Sequence, residues 1–415
     1  MRALLLAGAA ALACAMVPQA PPEWTVVLGG DTDGMLSPCG CTQPMTGGLR
    51  RRAAAIKMLT AGRPSVILEN SGLVGGAGRQ EELKAQALAE TMNLLGADAI
   101  HLGADEAVGG KGLVRALETL APDRLLCSSI APSPTNTLAS TREAGPFLVG
   151  GVSMHPEALA SALGERPLAA DAAVRGVVAA ALASDKVPVL LLQGSLDDAR
   201  AIARRHPELR LIEYRASGSP PPTVERVGET VLATPGEQGK HVVRLVWGEG
   251  SFHDYSPLTL GPTFENDPDA ARIYARYLQR VDDEKLIERV DRRPSPKFAG
   301  NARCGSCHAE AAAKWKKTGH AGALKTLEDD GHGRDPECVG CHVSGLDREG
   351  GFRSRLDTPQ LADVGCESCH GPGLDHALDP SRSLGKAGPA SCAPCHNASH
   401  SPNFSFAEFW KRIAH

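Results

Sequence analysis

Four copies of one five-residue pattern stand near the C-terminal end of this chain: CGSCH at 304–308, CVGCH at 338–342, CESCH at 366–370 and CAPCH at 392–396. In each copy two thiols three residues apart lie on one side of a turn, and an imidazole follows directly. Such thiols can form thioethers with the two vinyl groups of a haem while the histidine binds its iron. Four copies in one segment exceed what chance provides, so the pattern predicts four covalently bound haem c groups.

The residues predicted to attach the haems are eight cysteines and four histidines. They are Cys304, Cys307, Cys338, Cys341, Cys366, Cys369, Cys392 and Cys395, with His308, His342, His370 and His396. Paired C-x-x-C motifs also occur in zinc ribbons, but a ribbon needs only four thiolates and gives no reason for a histidine after every pair. The sequence therefore favours haem over zinc.

Further histidines in the same segment are candidates for the second axial position of each iron. They are His320, His332, His376, His400 and His415. Four irons with two histidines each need eight imidazoles, and the segment holds nine. It holds no methionine, because all seven methionines lie at or before Met154. Every iron can therefore be six-coordinate, and histidine pairs predict comparatively low reduction potentials because methionine ligation raises them.

An apolar run at the N-terminal end predicts an export signal. The run Ala3–Val17 follows a basic residue and is too short for a transmembrane helix. Cleavage after Ala15 or Ala20 and lipidation of Cys14 remain alternatives. Residues 1–20 are thus predicted to be a signal peptide, and the protein is expected in the periplasm or at the cell surface, either free or anchored as a lipoprotein.

Residues 21–250 alternate strand-like and helical segments. The strand-like runs are Trp24–Leu28, Ser65–Leu68, Pro188–Leu192 and His241–Val246. Between them, Glu82–Leu95 carries apolar residues at helical spacing and stops before Gly96. This alternation predicts a layered α/β sandwich.

Residues 251–300 are predicted to separate this domain from the C-terminal one. Asp267–Val290 is expected to form one long charged helix with an apolar stripe, and the breaker-rich stretch RRPSPKFAG at 292–300 is expected to be a linker. The fourth predicted region, residues 301–415, contains the haem motifs.

Three segments of the N-terminal part resemble the calcineurin-like metallophosphatase domain of periplasmic nucleotidases. They are GGDTDGMLSPCGCTQPMTGGLRRRAAAI at 29–56, VILENSG at 66–72 and KAQALAETMNLLGADAIHLGADE at 84–106. The resemblance implies a metal site that opens with D-x-H and continues with G-D, G-N-H-E and two histidine-bearing loops. At the first motif this chain has Asp31 and Asp33, without the histidine.

The remaining metal-binding positions of that family are also altered. G-D reads Ser71-Gly72, G-N-H-E reads Gly103-Ala104-Asp105-Glu106, and the regions 193–195 and 214–218 carry no histidine. A two-metal phosphoesterase needs several nitrogen and oxygen ligands to activate a bridging hydroxide. The carboxylates Asp31, Asp33, Asp105 and Glu106 are candidates for one hard cation, either magnesium or calcium. The alternative, solvated carboxylates on an inherited scaffold, predicts a non-catalytic module.

Two features of the N-terminal part lie outside that resemblance. Cys39 and Cys41 are one residue apart, which strains a disulfide. A soft-metal site with Cys127 or Met45, a redox pair and a structural role all remain open for them. The basic run 50–52 is expected to be a solvated helix start.

The C-terminal part resembles the tetrahaem cytochrome family that accepts electrons from hydroxylamine oxidation. The resemblance rests on KWKKTGHAGALKTL at 314–327, PECVGCHVSGLDREGGF at 336–352 and VGCESCHGPG at 364–373. It implies a mainly helical and irregular domain, with little sheet, wrapped around closely spaced haems.

The same resemblance implies a set of axial ligands. His320 would complete the third haem, His376 the first and His415 the fourth. The second haem keeps an open position in the family, whereas here His400 or His332 can fill it.

The function expected from these patterns is electron transfer rather than catalysis. Saturated irons pass electrons between redox partner proteins, whereas an open second iron would make the chain a reductase of small nitrogen compounds. A residual metallophosphoesterase and a self-associating conductive fibre are further alternatives. The net charge of −4 argues against a nucleic-acid partner.

Overall fold

The computed structural model describes residues 22–38, 44–397, 400–401 and 403–415. The predicted signal peptide with Cys14, and the pair Cys39 and Cys41, lie outside the described residues and stay predictions. In the described ranges, no helix is long and apolar enough to cross a membrane.

Two six-stranded sheets form the centre of the N-terminal part. The strands are β1 (Trp24–Gly29), β2 (Ser65–Glu69), β3 (Ala99–His101), β4 (Leu125–Leu126), β5 (Thr141–Ala144), β6 (Phe147–Ser153), β7 (Val187–Gln193), β8 (Leu211–Tyr214), β9 (Glu225–Val227), β10 (Thr230–Ala233), β11 (His241–Gly248) and β12 (Ser251–Thr259). The first sheet has the order β12-β11-β1-β2-β3-β4 and the second the order β5-β6-β7-β8-β10-β9. The central strands β1 to β4 are parallel, as are β6, β7, β8 and β10.

Alternate residues of the central strands divide the core into layers. Val26 and Leu28 of β1 pack between the sheets, whereas Val27 packs against the outer helices of the first sheet. On the second sheet Val189 faces the same inner core, and Leu190 faces the other helical layer. Successive side chains of a strand point to opposite faces of the sheet. Because these strands carry apolar side chains on both faces, each sheet must be covered by another layer on both sides. The predicted layered α/β sandwich is confirmed.

Seven helices lie in the described N-terminal part. They are α1 (Leu49–Thr60), α2 (Arg79–Leu94), α3 (Gly110–Leu120), α4 (Glu157–Leu163), α5 (Ala170–Ala183), α6 (Leu196–Arg205) and α7 (Pro268–Asp283). Helices α1 to α4 and α7 contribute to the core outside the first sheet, while α5 and α6 cover the second.

The segment predicted as one helix over Asp267–Val290 is broken. Helix α7 is capped by the Asp267 side chain and ends at Asp283. Lys285 then adopts a left-handed backbone with φ 50°, and a short 3-10 turn follows. The prediction of a single long helix is wrong because the left-handed backbone at Lys285 interrupts the helix. Strand β12 also carries the first sheet to Thr259, beyond the boundary predicted at residue 250.

The C-terminal part consists of short helices joined by irregular segments. The helices are α8 (Asn301–Cys307), α9 (Ala309–Trp315), α10 (Ala323–Asp329), α11 (Pro336–Val339), α12 (Cys366–His370), α13 (Leu374–Leu378), α14 (Pro389–Cys392) and α15 (Phe406–Ile413). Their protein core is one small cluster around Leu324, Val339, Val343 and Phe352. The predicted helical and irregular architecture is confirmed.

Candidate haem centres and the Arg215 cluster

Three pairs of imidazole rings face each other in the C-terminal part. The distances between ring centres are 6.1 Å for His308–His376, 5.9 Å for His370–His415 and 6.2 Å for His320–His396. An iron bound on both sides by ring nitrogens at about 2 Å separates the ring centres by about 6 Å. Each gap therefore fits one six-coordinate iron, and each pair contains one motif histidine.

The hydrogen bonds of these histidines leave the nitrogen that binds iron available. The Nδ1 atoms lie near oxygens as follows: His342 at 2.6 Å from the Ala323 carbonyl, His370 at 2.8 Å from the Gly385 carbonyl, His376 at 2.6 Å from the Arg382 carbonyl, His396 at 3.0 Å from Ser401 Oγ and His415 at 3.0 Å from the Ile413 carbonyl. A carbonyl only accepts, so Nδ1 carries the proton there and Nε2 keeps its lone pair. This is the tautomer that a metal ligand requires.

Contacts between the motifs join them into one group. The backbone N–H of Cys366 donates to Asn301 Oδ1 at 2.9 Å, and Asn301 is in α8, the helix that carries Cys304, so the first motif is joined to the third. Ser391 Oγ donates to the carbonyl of Cys369 at 3.0 Å, which joins the third to the fourth. One cavity of about 520 Å³ is lined by residues of the second, third and fourth motifs, among them His342, Cys369 and His396.

In the N-terminal part a guanidinium lies among the carboxylates predicted to bind a cation. Arg215 forms direct ion pairs with Asp31 and Asp105, and its Nη2 lies 3.7 Å from Asp33 Oδ1. Gln193 Nε2 donates to Asp105 Oδ2 at 2.9 Å. We call Asp31, Asp33, Asp105 and Arg215 the Arg215 cluster. A fixed positive charge thus holds the position between these carboxylates that a metal ion would need.

Glu106, the fourth predicted ligand, is not part of this cluster. Its carboxylate is fully buried and accepts hydrogen bonds from the backbone N–H groups of Gly72, Leu73 and Gly103 at 2.7–3.0 Å. Burial, with the neighbouring charge of Asp105, raises the pKa of Glu106 to about 7. Of the four carboxylates that were candidates for one hard cation, Glu106 therefore binds the backbone and does not face the other three.

The loop that carries Asp31 and Asp33 keeps an unusual backbone. Both residues are left-handed, with φ 49° and 48°, a conformation that costs a non-glycine residue about 1 kcal/mol or more. Their N–H groups donate to the carbonyls of Ser71 and Gly72 at 2.9 Å, which holds the loop in place. Burial and the charge of Asp31 raise the pKa of Asp33 to about 6, although Arg215 opposes this.

Comparison with known proteins assigns the C-terminal part. Residues 303–371 match the family described as cytochrome c554 and c-prime. The chain is 38% identical over 97 residues to cytochrome c-554 of Nitrosomonas europaea, which is 20% of this chain and 41% of that relative. The C-terminal part is a cytochrome c554 domain. The match supports a c-type cytochrome domain, and the chain spans about two fifths of the length of that relative.

Solved structures assign the fold of the N-terminal part. The sulfate thiohydrolase SoxB of Thermus thermophilus superposes with a TM-score of 0.52 at 17% identity, over 64% of this chain and 62% of that one. A 5'-nucleotidase precursor, also from Thermus thermophilus, gives a TM-score of 0.53 at 18% identity, over 74% of this chain and 68% of that one. The N-terminal part therefore has the metallophosphatase and 5'-nucleotidase fold, and identities this low show the fold alone.

Two of the three axial ligands predicted for the cytochrome c554 domain face other motifs than expected. His376 faces His308 of the first motif, as predicted. His320 faces His396 of the fourth motif rather than the third, and His415 faces His370 of the third rather than the fourth. The ring of Phe409, on α15, contacts the His396 ring, so this helix passes the fourth motif. Beyond α15, the Ala414 carbonyl accepts a hydrogen bond from the Lys314 ammonium, and His415 reaches the third motif.

The second motif of the cytochrome c554 domain differs from the others. His332, a candidate for its open position, contacts the ring of Tyr274 rather than that of His342 among the described residues, and its Nδ1 lies 3.1 Å from the Tyr274 hydroxyl. The backbone N–H of His400 donates to Asn397 Oδ1 at 3.0 Å, in the turn after the fourth motif. His332 is thus turned toward the N-terminal domain, and His400 stays a prediction.

Sequence reasoning missed a buried ionic group at the carboxyl end of β2. Arg52, expected at a solvated helix start, is 2% exposed and forms an ion pair with Glu69. Among the described residues, neither oxygen of the nearby Glu213 carboxylate has a hydrogen-bond partner. Burial, with the charge of Glu69, raises the pKa of Glu213 well above its ordinary value.

Replacing Glu213 with glutamine is expected to raise the melting temperature more at about pH 8 than at about pH 5. The pKa of Glu213 is raised in the folded state, so folding favours its neutral form. The stability of wild type is therefore fully present below the pKa of Glu213 in the unfolded state, and it is lost as the pH rises toward the pKa in the folded state. Glutamine keeps the shape and removes the titration. Thermal unfolding of the full haem-loaded chain at both pH values measures this. Glu229→Gln, at an exposed turn, is the control, and an equal gain at both pH values contradicts the expectation.

Proposed function

We propose that this protein is an exported electron carrier, periplasmic or at the cell surface, with four haem c groups. The observation that carries the proposal is the three imidazole pairs with ring centres 5.9–6.2 Å apart. The eight motif cysteines attach the haems, and the four motif histidines are the first axial ligands. His376, His415 and His320 are the second ligands of the first, third and fourth irons. The domain boundary lies in the linker 292–300.

Electrons pass from the first haem through the third to the second and fourth haems. This order follows the contact of the first motif with the third through Asn301 and Cys366, the contact of the third with the fourth through Cys369 and Ser391, and the cavity that the second, third and fourth motifs share. The first haem is at one end of this arrangement, and the second and fourth haems are at the other. A donor and an acceptor, both redox proteins, would dock at opposite ends.

The N-terminal domain is proposed to be non-catalytic. The Arg215 cluster supports this, because a guanidinium paired with Asp31 and Asp105 excludes a second cation from the same space by charge repulsion. Hydrolysis on this fold would require a hydroxide that bridges two metal ions. Among the described residues of this domain, no group of side chains forms a ligand set for two such ions.

A second candidate function is a reductase of small nitrogen compounds at the second haem. The orientation of His332 toward Tyr274 favours it, because that leaves His342 without this histidine as an opposing ligand. If His400 does not reach that iron, a ligand such as nitric oxide can bind there.

Stepwise chemical reduction of the haem-loaded full chain tests the carrier function. We expect the chain to accept four electrons reversibly, one for each haem motif. An optical titration with a calibrated reductant, alongside a haem assay per chain, measures both numbers. Fewer than four haems, or fewer electrons than haems, would contradict the proposal.

A further inference from the structure

Side chains of the N-terminal domain bind the segment that leads into the second haem motif. Gln80 Nε2, on α2, donates to Asp335 Oδ1 at 2.6 Å and lies 3.0 Å from the Tyr277 hydroxyl. That hydroxyl, on α7, donates to Asp335 Oδ2 at 3.4 Å. Lys84 Nζ, on α2, pairs with Glu337 Oε2 at 2.7 Å. Two helices of one domain therefore hold two neighbouring acidic side chains of the other.

Asp335 caps α11, the helix that carries the first cysteine of that motif, and Glu337 lies in it. Asp335 is 4% exposed, and its side chain accepts from the backbone N–H of Glu337 at 3.1 Å, which caps α11. Cys338 lies in this helix, and its sulfur is within 4.8 Å of the Asp335 carboxylate and a His332 nitrogen. A cap of this kind contributes about 1 kcal/mol to a short helix. The N-terminal domain thus fixes the geometry of α11.

The same contacts set the charge beside the second motif. Lys84 is 3% exposed and is paired with Glu81 as well as Glu337. Charges that are shielded from water act strongly on a neighbouring redox group. A nearby carboxylate favours the ferric haem, because that state is one charge more positive than the ferrous state. A cation beside the carboxylate offsets this effect. Without Lys84, the charge of Glu337 would be uncompensated.

We propose that the N-terminal domain sets the reduction potential of the second haem, with Lys84 as the charge-compensating residue and Gln80 and Tyr277 as positioning residues. This rests on the proposed function in one respect, because it requires a haem at Cys338 and Cys341. It gives the nucleotidase-fold domain a role that needs no metal and no hydrolysis. The domain changes the reduction potential of the second haem and leaves the potentials of the other three haems unchanged.

Lys84→Met in the haem-loaded full chain is the first test, with the four midpoint potentials resolved by a spectroelectrochemical titration. One potential is expected to fall by about 59 mV, a tenfold shift in one reduction equilibrium. Glu337→Gln should raise the same potential, and the double variant Lys84→Met/Glu337→Gln should return close to wild type. Arg276→Met is the matched control, because this exposed residue joins α7 to Glu90 of α2 away from the motif.

The outcomes separate this inference from the proposed function. A haem assay on wild type comes first. Fewer than four haems per chain would contradict the proposed function before any potential is measured. With four haems, unchanged potentials in both single variants overturn the inference, as does a shift shared equally by all four. If Lys84→Met does not fold, Glu337→Gln alone decides, since it keeps the helix contacts and removes one charge.

Discussion

Replacing Arg215 with alanine is expected to lower the free energy of unfolding by about 3 kcal/mol at neutral pH and to create a divalent cation site. The substitution leaves Asp31, Asp33 and Asp105 facing one another without a cation. Removing one partner of a largely buried ion pair is costly because the remaining charges stay desolvated. Carboxylate oxygens grouped in this way are suitable ligands for calcium or magnesium.

Thermal unfolding of the Arg215→Ala chain with and without calcium measures both effects. Added calcium should raise the melting temperature of the variant and not that of wild type, because binding to the folded state alone stabilises it. The loss should also shrink as the pH falls through about 6, the raised pKa of Asp33, because protonation of Asp33 removes one of the uncompensated charges. Arg200→Ala is the control, since that residue pairs with Asp197 and Glu225 at the surface and its loss should cost far less stability. A variant as stable as wild type, or one indifferent to calcium, would show that Arg215 does not replace a metal.

The second large effect is expected from His415→Ala, which should convert one haem of the four to the high-spin ferric state. His415 faces His370 at 5.9 Å between ring centres, so its loss leaves the third iron with one protein ligand. The residue is exposed and lies beyond the end of α15, so folding should be little affected. Electron paramagnetic resonance of the oxidised chain detects the change, and added imidazole should restore the low-spin signal.

His253→Ala is the matched control for this experiment. His253 is a half-buried histidine of β12 in the N-terminal domain, where it pairs with Glu23. Its replacement should leave the spectrum unchanged. A His415→Ala chain with wild-type spectra would mean that another group completes the third iron, and the pairing of His415 with His370 would be wrong.

The haem motifs could be predicted from sequence because their chemistry is local. Two thiols and an imidazole within five residues specify attachment whatever the rest of the chain does. The second axial ligands depend on how distant segments meet, and spacing carries no information about that. The resemblance assigned His376 to the first motif, and its ring faces His308. It exchanged the motifs that His320 and His415 face, because the path of α15 decides which of them each ring reaches.

The N-terminal site shows a different limit of sequence reasoning. Loss of the metal-binding histidines was visible in the motifs, and it predicted a changed site. The motifs carry no signal for Arg215, because an arginine is not a metal ligand and only the fold brings it to Asp31. Arg52 was missed for a related reason: its partner Glu69 is on the neighbouring strand β2, and only the fold brings them together. Arginines within or next to the altered motifs are the sequence signal that could have pointed to both residues.

The most direct test of a carrier built on bis-histidine haems is the electron paramagnetic resonance spectrum of the oxidised, haem-loaded full chain, recorded with a haem count. We predict four haems per chain and low-spin ferric signals from at least the three irons of the observed histidine pairs. A high-spin signal equal to one haem would identify the second iron as open and support the reductase. High-spin iron in more than one haem, or fewer than four haems, would contradict the histidine pairs as ligands.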